Sequence, residues 1–257
     1  METDYLEVTE TSGSLVSKEQ IQRMFNRYDW ALPFCRNRDV VEVACGSGQG
    51  LGLIGESSKS IVGGDISEEL LSMARSHYKD EFDLKVFDAS KMPFKDSSKD
   101  VVICFEALYY FPNVEAFLSE VDRVLRKGGY LLISSANKDL GDFNPSPFTY
   151  KYYGVKELNE VLNKKGFDSV FYGDIDTSNR TLLSQIFSVI KKMIVFLDLM
   201  PKTMSGKRLL KRIVFGKLVK MPSDLREILA ASNSIVEIDA NMADTKHKVV
   251  LVAAQKK

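Results

Sequence analysis

Three glycines in five residues close the stretch VVEVACGSGQG (residues 40–50), and two aspartates, Asp65 and Asp88, follow at the ends of later apolar runs. Glycine where a buried strand turns into a loop lets a ligand approach the backbone more closely than a Cβ permits. Asp65 stands about twenty residues beyond the glycines, where a carboxylate accepts from two vicinal hydroxyls. Asp88 ends the run LKVFD and offers a second acceptor. The dinucleotide fingerprint G-x-G-x-x-G is not met, because the position three beyond Gly48 is Leu51. A pyrophosphate would also meet the charge of Glu42.

These residues need a scaffold that brings strand ends together. Short apolar runs predict strands at 39–44, 60–65, 84–88, 100–105, 130–135, 169–174 and 247–254. Helical spacing predicts helices in SLVSKEQIQRMFNRYDWAL, after Gly50, and at 67–78, 113–127 and 154–166, with Ser67 as an N-cap followed by Glu68 and Glu69. Strand–helix alternation implies an α/β fold, a doubly wound and mostly parallel sheet covered on both faces. Ligands of such sheets bind outside the carboxyl ends of the strands, where Gly46, Asp65, Asp88 and Phe105 all fall.

From about residue 20 to 175 the chain resembles the class I S-adenosylmethionine-dependent methyltransferases, in particular their small-molecule branch. VVEVACGSGQG is similar to the first motif of that family, with Glu42 in place of the usual Asp; IVGGDISEELLSMAR, VFDASKMPF, KDVVICFEALYYFPN and VLRKGGYLLIS resemble the next four, in order. The resemblance implies a seven-stranded sheet with an antiparallel last strand and S-adenosylmethionine as cofactor, leaving as S-adenosylhomocysteine. It implies that Ala44, Gly46 and Gly48 border the methionine moiety, with Glu42 near its ammonium. Asp65 takes the ribose hydroxyls, Asp88 and Ala89 the adenine, and Ile66 and Phe105 are further cofactor contacts. Arg27, in a helix that closes the cleft, would meet the cofactor carboxylate, while Tyr28 and Trp30 read equally as packing residues.

For the acceptor, the fourth motif lacks the Asn/Asp-Pro-Pro-Tyr stretch of base and amide N-methylation, and Tyr110 stands where many relatives carry a histidine. Glu106 and Tyr110 are the candidate catalytic residues and Tyr109 a substrate contact. GDFNPSPFTYKYYGVKEL (141–158), with Asn144, Tyr150 and Tyr152, reads as an aromatic acceptor lid or as a rigid connector. The expected reaction is methyl transfer to oxygen or nitrogen of a small molecule such as a sugar or glycolipid precursor, as in relatives from bacterial polysaccharide gene neighbourhoods. C- or O-methylation of a quinone-like lipid ring and non-catalytic cofactor binding are the alternatives.

The chain of 257 residues reads as one methyltransferase domain with a helical basic insert at 176–240. It is 44% hydrophobic, 27% charged and neutral overall, which excludes a uniformly basic nucleic-acid binder. Between 180 and 220 ten basic residues face Asp198 alone, a local charge of +9. That segment reads as a helical cap on the core or on a second subunit, as a peripheral membrane contact, or as a phosphate receiver. Cys35, Cys45 and Cys104 lack C-x-x-C spacing and read as buried thiols, with no metal site. The polar start, without an apolar signal region, reads as frayed and the protein as cytoplasmic.

Overall fold

The computed structural model describes residues 9–178, 218–228 and 235–257. After a two-residue strand β1 (Leu15–Val16), helix α1 (Lys18–Cys35) starts from a capping box in which Ser17 and Gln20 satisfy each other's backbone amides. The chain continues through β2 (Asp39–Val43), α2 (Leu51–Gly55), β3 (Ser60–Asp65), α3 (Glu68–Tyr78) and β4 (Asp83–Val86). Then come β5 (Lys99–Phe105), α4 (Val114–Val124), β6 (Leu125–Ala136), α5 (Val155–Lys164) and β7 (Phe167–Asp176). Two short strands, β8 (Val219–Lys220) and β9 (Val236–Ile238), precede the long β10 (His247–Lys256).

The main sheet has the order β4-β3-β2-β5-β6-β10-β7-β9. Strands β4 to β6 pair in parallel, and β10 lies antiparallel between β6 and β7. The seven-stranded order with an antiparallel last strand is therefore present, and β9 adds an eighth strand at the β7 edge. The chain leaves β2 in one direction and returns on its other side as β5, so the topological switch point lies at the carboxyl ends of these two strands.

Both faces are covered. Met24 and Tyr28 of α1, Leu51 of α2 and Leu71 of α3 bury one face, while Phe117 and Leu118 of α4 and Leu158 and Leu162 of α5 bury the other. Val40, Val41 and Val43 of β2 have no exposed surface, which is why that strand reads as a continuous apolar run. All three cysteines are free and buried, and burial raises each thiol's pKa.

Two expectations change, and a third falls only partly within the described residues. Helix α4 ends at Val124, short of 127, because Leu125 pairs with Lys99 and the chain bulges through Gly128 (φ 77°) before Tyr130 pairs with Val101. Residues 9–16 are held in place: the Glu10 carbonyl accepts from Gln49 Nε2, and β1 pairs with β8. Within 176–240 the described residues form β8, β9 and a 3-10 turn at Leu225–Glu227; the helical reading of 180–217 lies outside the described residues. No helix among the described residues is long and apolar enough to cross a membrane.

The contact between α1 and the start of α2 is the tightest constraint near the glycine loop. A Cβ on Gly50 would sit 1.9 Å from Cε1 of Tyr28. Gly50→Ala is expected to cost about 1–3 kcal/mol by overpacking, read as a lower urea midpoint. An unchanged midpoint would mean that α1 shifts without loss.

Candidate functional site

The turn after β2 is built from left-handed backbone: Ala44 (φ 51°), Gly46 (φ 58°) and Gly48 (φ 79°). This folds the loop back so that the Gly46 amide donates to Asp65 Oδ2 at 2.8 Å, while the Ser67 amide donates to Oδ1 at 2.9 Å. Asp65 thus arrives at the end of β3 already oriented, with each oxygen keeping acceptor capacity for a ligand. Burial raises its pKa, and the amides of Ser67, Gly46 and Ile66 oppose that shift. Gly48 has a different reason to be glycine. It faces away from the loop's open side, where a Cβ would press on Leu51, Ala74 and Tyr78 at 3.0–3.3 Å.

A cleft of about 640 Å³ opens at the switch point. Ala44, Gly46, Asp65, Ile66, Asp88, Ala89 and Phe105 line one half. Asp88 sits at the rim, its Oδ1 accepting from the amide and hydroxyl of Ser90, both at 2.8 Å. Arg27 lines the cleft from α1. Burial works against its charge, but Tyr28, Glu106, Glu10 and Tyr109 together hold its pKa above the ordinary value.

Two expected contacts are not on the cleft wall: Gly48, for the packing reason above, and Glu42. Glu42 is 2% exposed inside β2 and accepts the hydroxyl of Tyr28, so it braces α1 instead of facing a ligand. Its Oε2 is buried without a partner. Burial pushes its pKa up to about 7, against the Tyr28 hydrogen bond and the Arg27 charge.

The other half of the cleft holds every residue assigned to the acceptor. Glu106 follows β5 with φ 52°, a conformation that costs on the order of 1 kcal/mol for a residue with a side chain. Its Oε1 accepts from Ser134 Oγ at 2.9 Å and its Oε2 from Tyr109 Oη at 3.1 Å. Tyr109 stacks on Tyr152 at 4.2 Å, and Tyr110 Oη lies 2.9 Å from Ser146 Oγ. The lid is tied down by the Tyr150 amide, which donates to the Tyr109 carbonyl at 2.9 Å. Asn144, Tyr150 and Tyr152 all line this half. Burial, with Glu106 alongside, raises the Tyr109 pKa well above ordinary, so Tyr109 is a donor and not a base. No histidine lines the cleft; His247 is buried beside Asp244 and His77 stands near Asp224.

Sequence reasoning missed Thr9, Glu10, Arg23 and Gln49 on the cleft wall. Arg23 was within reach, since it precedes Arg27 by one helical turn and shares its face. Thr9 and Glu10 carry no periodic signal; side-chain amides of Gln20 and Gln49 hold Glu10.

Residues 41–133 match the family described as Methyltransferase domain. Over that segment the chain is similar to methyltransferase domains. Among its relatives, a Mycolicibacterium smegmatis protein named "Probable S-adenosylmethionine-dependent methyltransferase" is 33% identical over 150 residues, covering 54% of this chain and 57% of that protein. A phthiotriol/phenolphthiotriol dimycocerosates methyltransferase of Mycobacterium ulcerans is 40% identical over 96 residues, 36% of this chain and 35% of that one. The chain thus spans little more than half of the first and about a third of the second. A solved S-adenosylmethionine-dependent methyltransferase from Thermotoga maritima shares the fold at TM-score 0.60 and 16% identity, with 93% of this chain and 92% of that one covered.

S-adenosylmethionine is the methyl donor of this family, and the cleft of the domain fits it. The oriented Asp65 carboxylate suits the ribose hydroxyls, and the rim of Asp88 and Ala89 suits an adenine. Arg27, whose buried Nε has no partner, suits a carboxylate. Gly46 leaves room for the chain between them, since a Cβ there would already meet Thr9 at 3.3 Å.

Two outcomes are expected. Asp65→Ala weakens binding of S-adenosylhomocysteine by about 1.5–3 kcal/mol in calorimetric titration, and wild-type affinity would remove Asp65 from the ribose site. Glu42 binds its proton more tightly folded than unfolded, so its contribution is present below the ordinary carboxylate pKa and is lost as pH rises through about 7. Glu42→Gln, which keeps an acceptor for Tyr28, is therefore expected to melt higher than wild type at about pH 8 and alike at about pH 4. Parallel melting curves at both pH values would show that Glu42 is charged throughout.

Proposed function

We propose that this protein transfers a methyl group from S-adenosylmethionine to oxygen or nitrogen of a small molecule, with a sugar or glycolipid precursor as the acceptor class. The observation that carries this reading is Glu106, a carboxylate held by Ser134 and Tyr109 at the junction of the two cleft halves. Bound there, S-adenosylmethionine supplies an electrophilic methyl on sulfur for in-line attack. Asp65, Asp88 and Arg27 hold the donor end, while the tyrosines and the lid hold the acceptor. Fixing both in one cleft contributes on the order of 7–11 kcal/mol through orientation alone.

Glu106 accepts the proton of the attacking hydroxyl or amine, and its two donors keep the carboxylate aimed while it does so. A base of this kind contributes about 10²–10⁴-fold. The rings of Tyr109, Tyr110, Tyr150 and Tyr152, interleaved with hydroxyl groups and Asn144, offer apolar faces and polar edges, as a sugar ring requires. A second reading, methylation of a hydroxyl on a lipid, draws on the relative named for phthiotriol dimycocerosates.

The test is formation of S-adenosylhomocysteine when the protein and S-adenosylmethionine meet panels of sugar nucleotides and of lipid alcohols and quinols. Turnover with the first panel supports the sugar reading, and turnover with the second alone replaces it. Cofactor binding without turnover on either panel would favour a non-catalytic binder. Glu106→Gln is expected to lower kcat by 10²-fold or more while S-adenosylhomocysteine binds as before. A variant that turned over at the wild-type rate would remove Glu106 as the proton acceptor.

A further inference from the structure

Helix α1 presents two arginines to the cleft, Arg23 and Arg27, one helical turn apart. In both, the guanidinium Nε is buried and has no hydrogen-bond partner. Neither side chain forms an ion pair with a described carboxylate. A desolvated donor on a full positive charge is costly to leave unmet, and the group that meets it best is an oxyanion, which a guanidinium takes in bidentate fashion.

The two arginines stand over different parts of the sheet. Arg27 has the charges of Glu106 and Glu10 beside it, at the carboxyl end of β5 and over the glycine loop, close to where the donor lies. Arg23 has Asp174, at the carboxyl end of β7, as its charged neighbour. In the sheet order, β7 is separated from β2 by β5, β6 and β10, whereas the donor carboxylates Asp65 and Asp88 lie on the far side, at β3 and after β4. Asp174 does not satisfy Arg23, since its oxygens are engaged by Asn26 Nδ2 at 2.9 and 3.1 Å and by the Ile175 amide at 2.8 Å. The cofactor has one carboxylate, and Arg27 is placed to take it.

We infer that Arg23 is a specificity residue that receives an anionic group on the methyl acceptor, a phosphate or a carboxylate. The inference rests on the methyltransferase reading and narrows it: the acceptor is a hydroxyl- or amine-bearing compound that also carries an oxyanion. A sugar phosphate and a sugar acid both have that chemistry.

The test uses the full chain saturated with S-adenosylhomocysteine, titrated calorimetrically with glucose, glucose 6-phosphate, glucuronate and inorganic phosphate. At least one oxyanion is expected to bind tenfold or more tightly than glucose. Arg23→Gln is expected to abolish that difference and leave S-adenosylhomocysteine affinity within twofold, and Arg23→Lys to restore part of it. Preference for glucose 6-phosphate and inorganic phosphate identifies a phosphate, and preference for glucuronate a carboxylate. No oxyanion bound more tightly by wild type than by Arg23→Gln would overturn the inference. So would a loss of S-adenosylhomocysteine affinity in Arg23→Gln, which would move Arg23 to the donor carboxylate. Failure of wild type to bind S-adenosylhomocysteine at all would instead sink the underlying methyltransferase reading.

Discussion

The cleft depends on how one tyrosine is seated. The ring of Tyr28 occupies the space that a side chain at Gly50 would fill, packs edge-on against Phe105 at 5.1 Å, and passes its hydroxyl to Glu42 inside β2. One residue of α1 is thereby locked to the glycine loop, to the end of β5 and to the centre of the sheet. These contacts of Tyr28 oppose rotation or sliding of the helix, whose Arg23 and Arg27 line the cleft. A buried carboxylate is a costly anchor. Its position between a phenol and a guanidinium offsets part of that cost, and the rest is a local sacrifice of stability for placement.

The two halves of the cleft are held by different means. On the donor side the backbone does most of the holding: amides of the glycine loop and of the turn after β3 fix Asp65. On the acceptor side the holding is by side chains, with Ser134 and Tyr109 on Glu106, Tyr152 on Tyr109 and Ser146 at Tyr110. Backbone anchoring gives little room for variation, whereas a lattice of side chains can be remodelled without disturbing the sheet. That asymmetry suits a scaffold with a constant donor and a changeable acceptor.

The donor half was legible in the sequence because its parts are local. Gly46, Asp65 and Asp88 each sit at the end of an apolar run, and the order of those runs determines where they converge. Glu42 was misread for the opposite reason. In sequence it is a carboxylate beside a ligand loop, and only the packing of α1 shows that its partner is Tyr28. Thr9 and Glu10 carry no pattern of their own, and Glu10 is placed by glutamines that come later in the chain. The end of α4 and the strand β9 follow from pairing partners in the sheet, which no window of neighbouring residues contains.

Strand β10 lies in the interior of the sheet although it follows every other described strand. Until residues 247–256 have been made, β6 and β7 each present a bare edge to solvent or to one another. Those edges are rows of unmet amides and carbonyls, prone to wrong partners. The nascent protein therefore waits with its central seam open, and its vulnerability to aggregation is concentrated in the interval before β10 closes it.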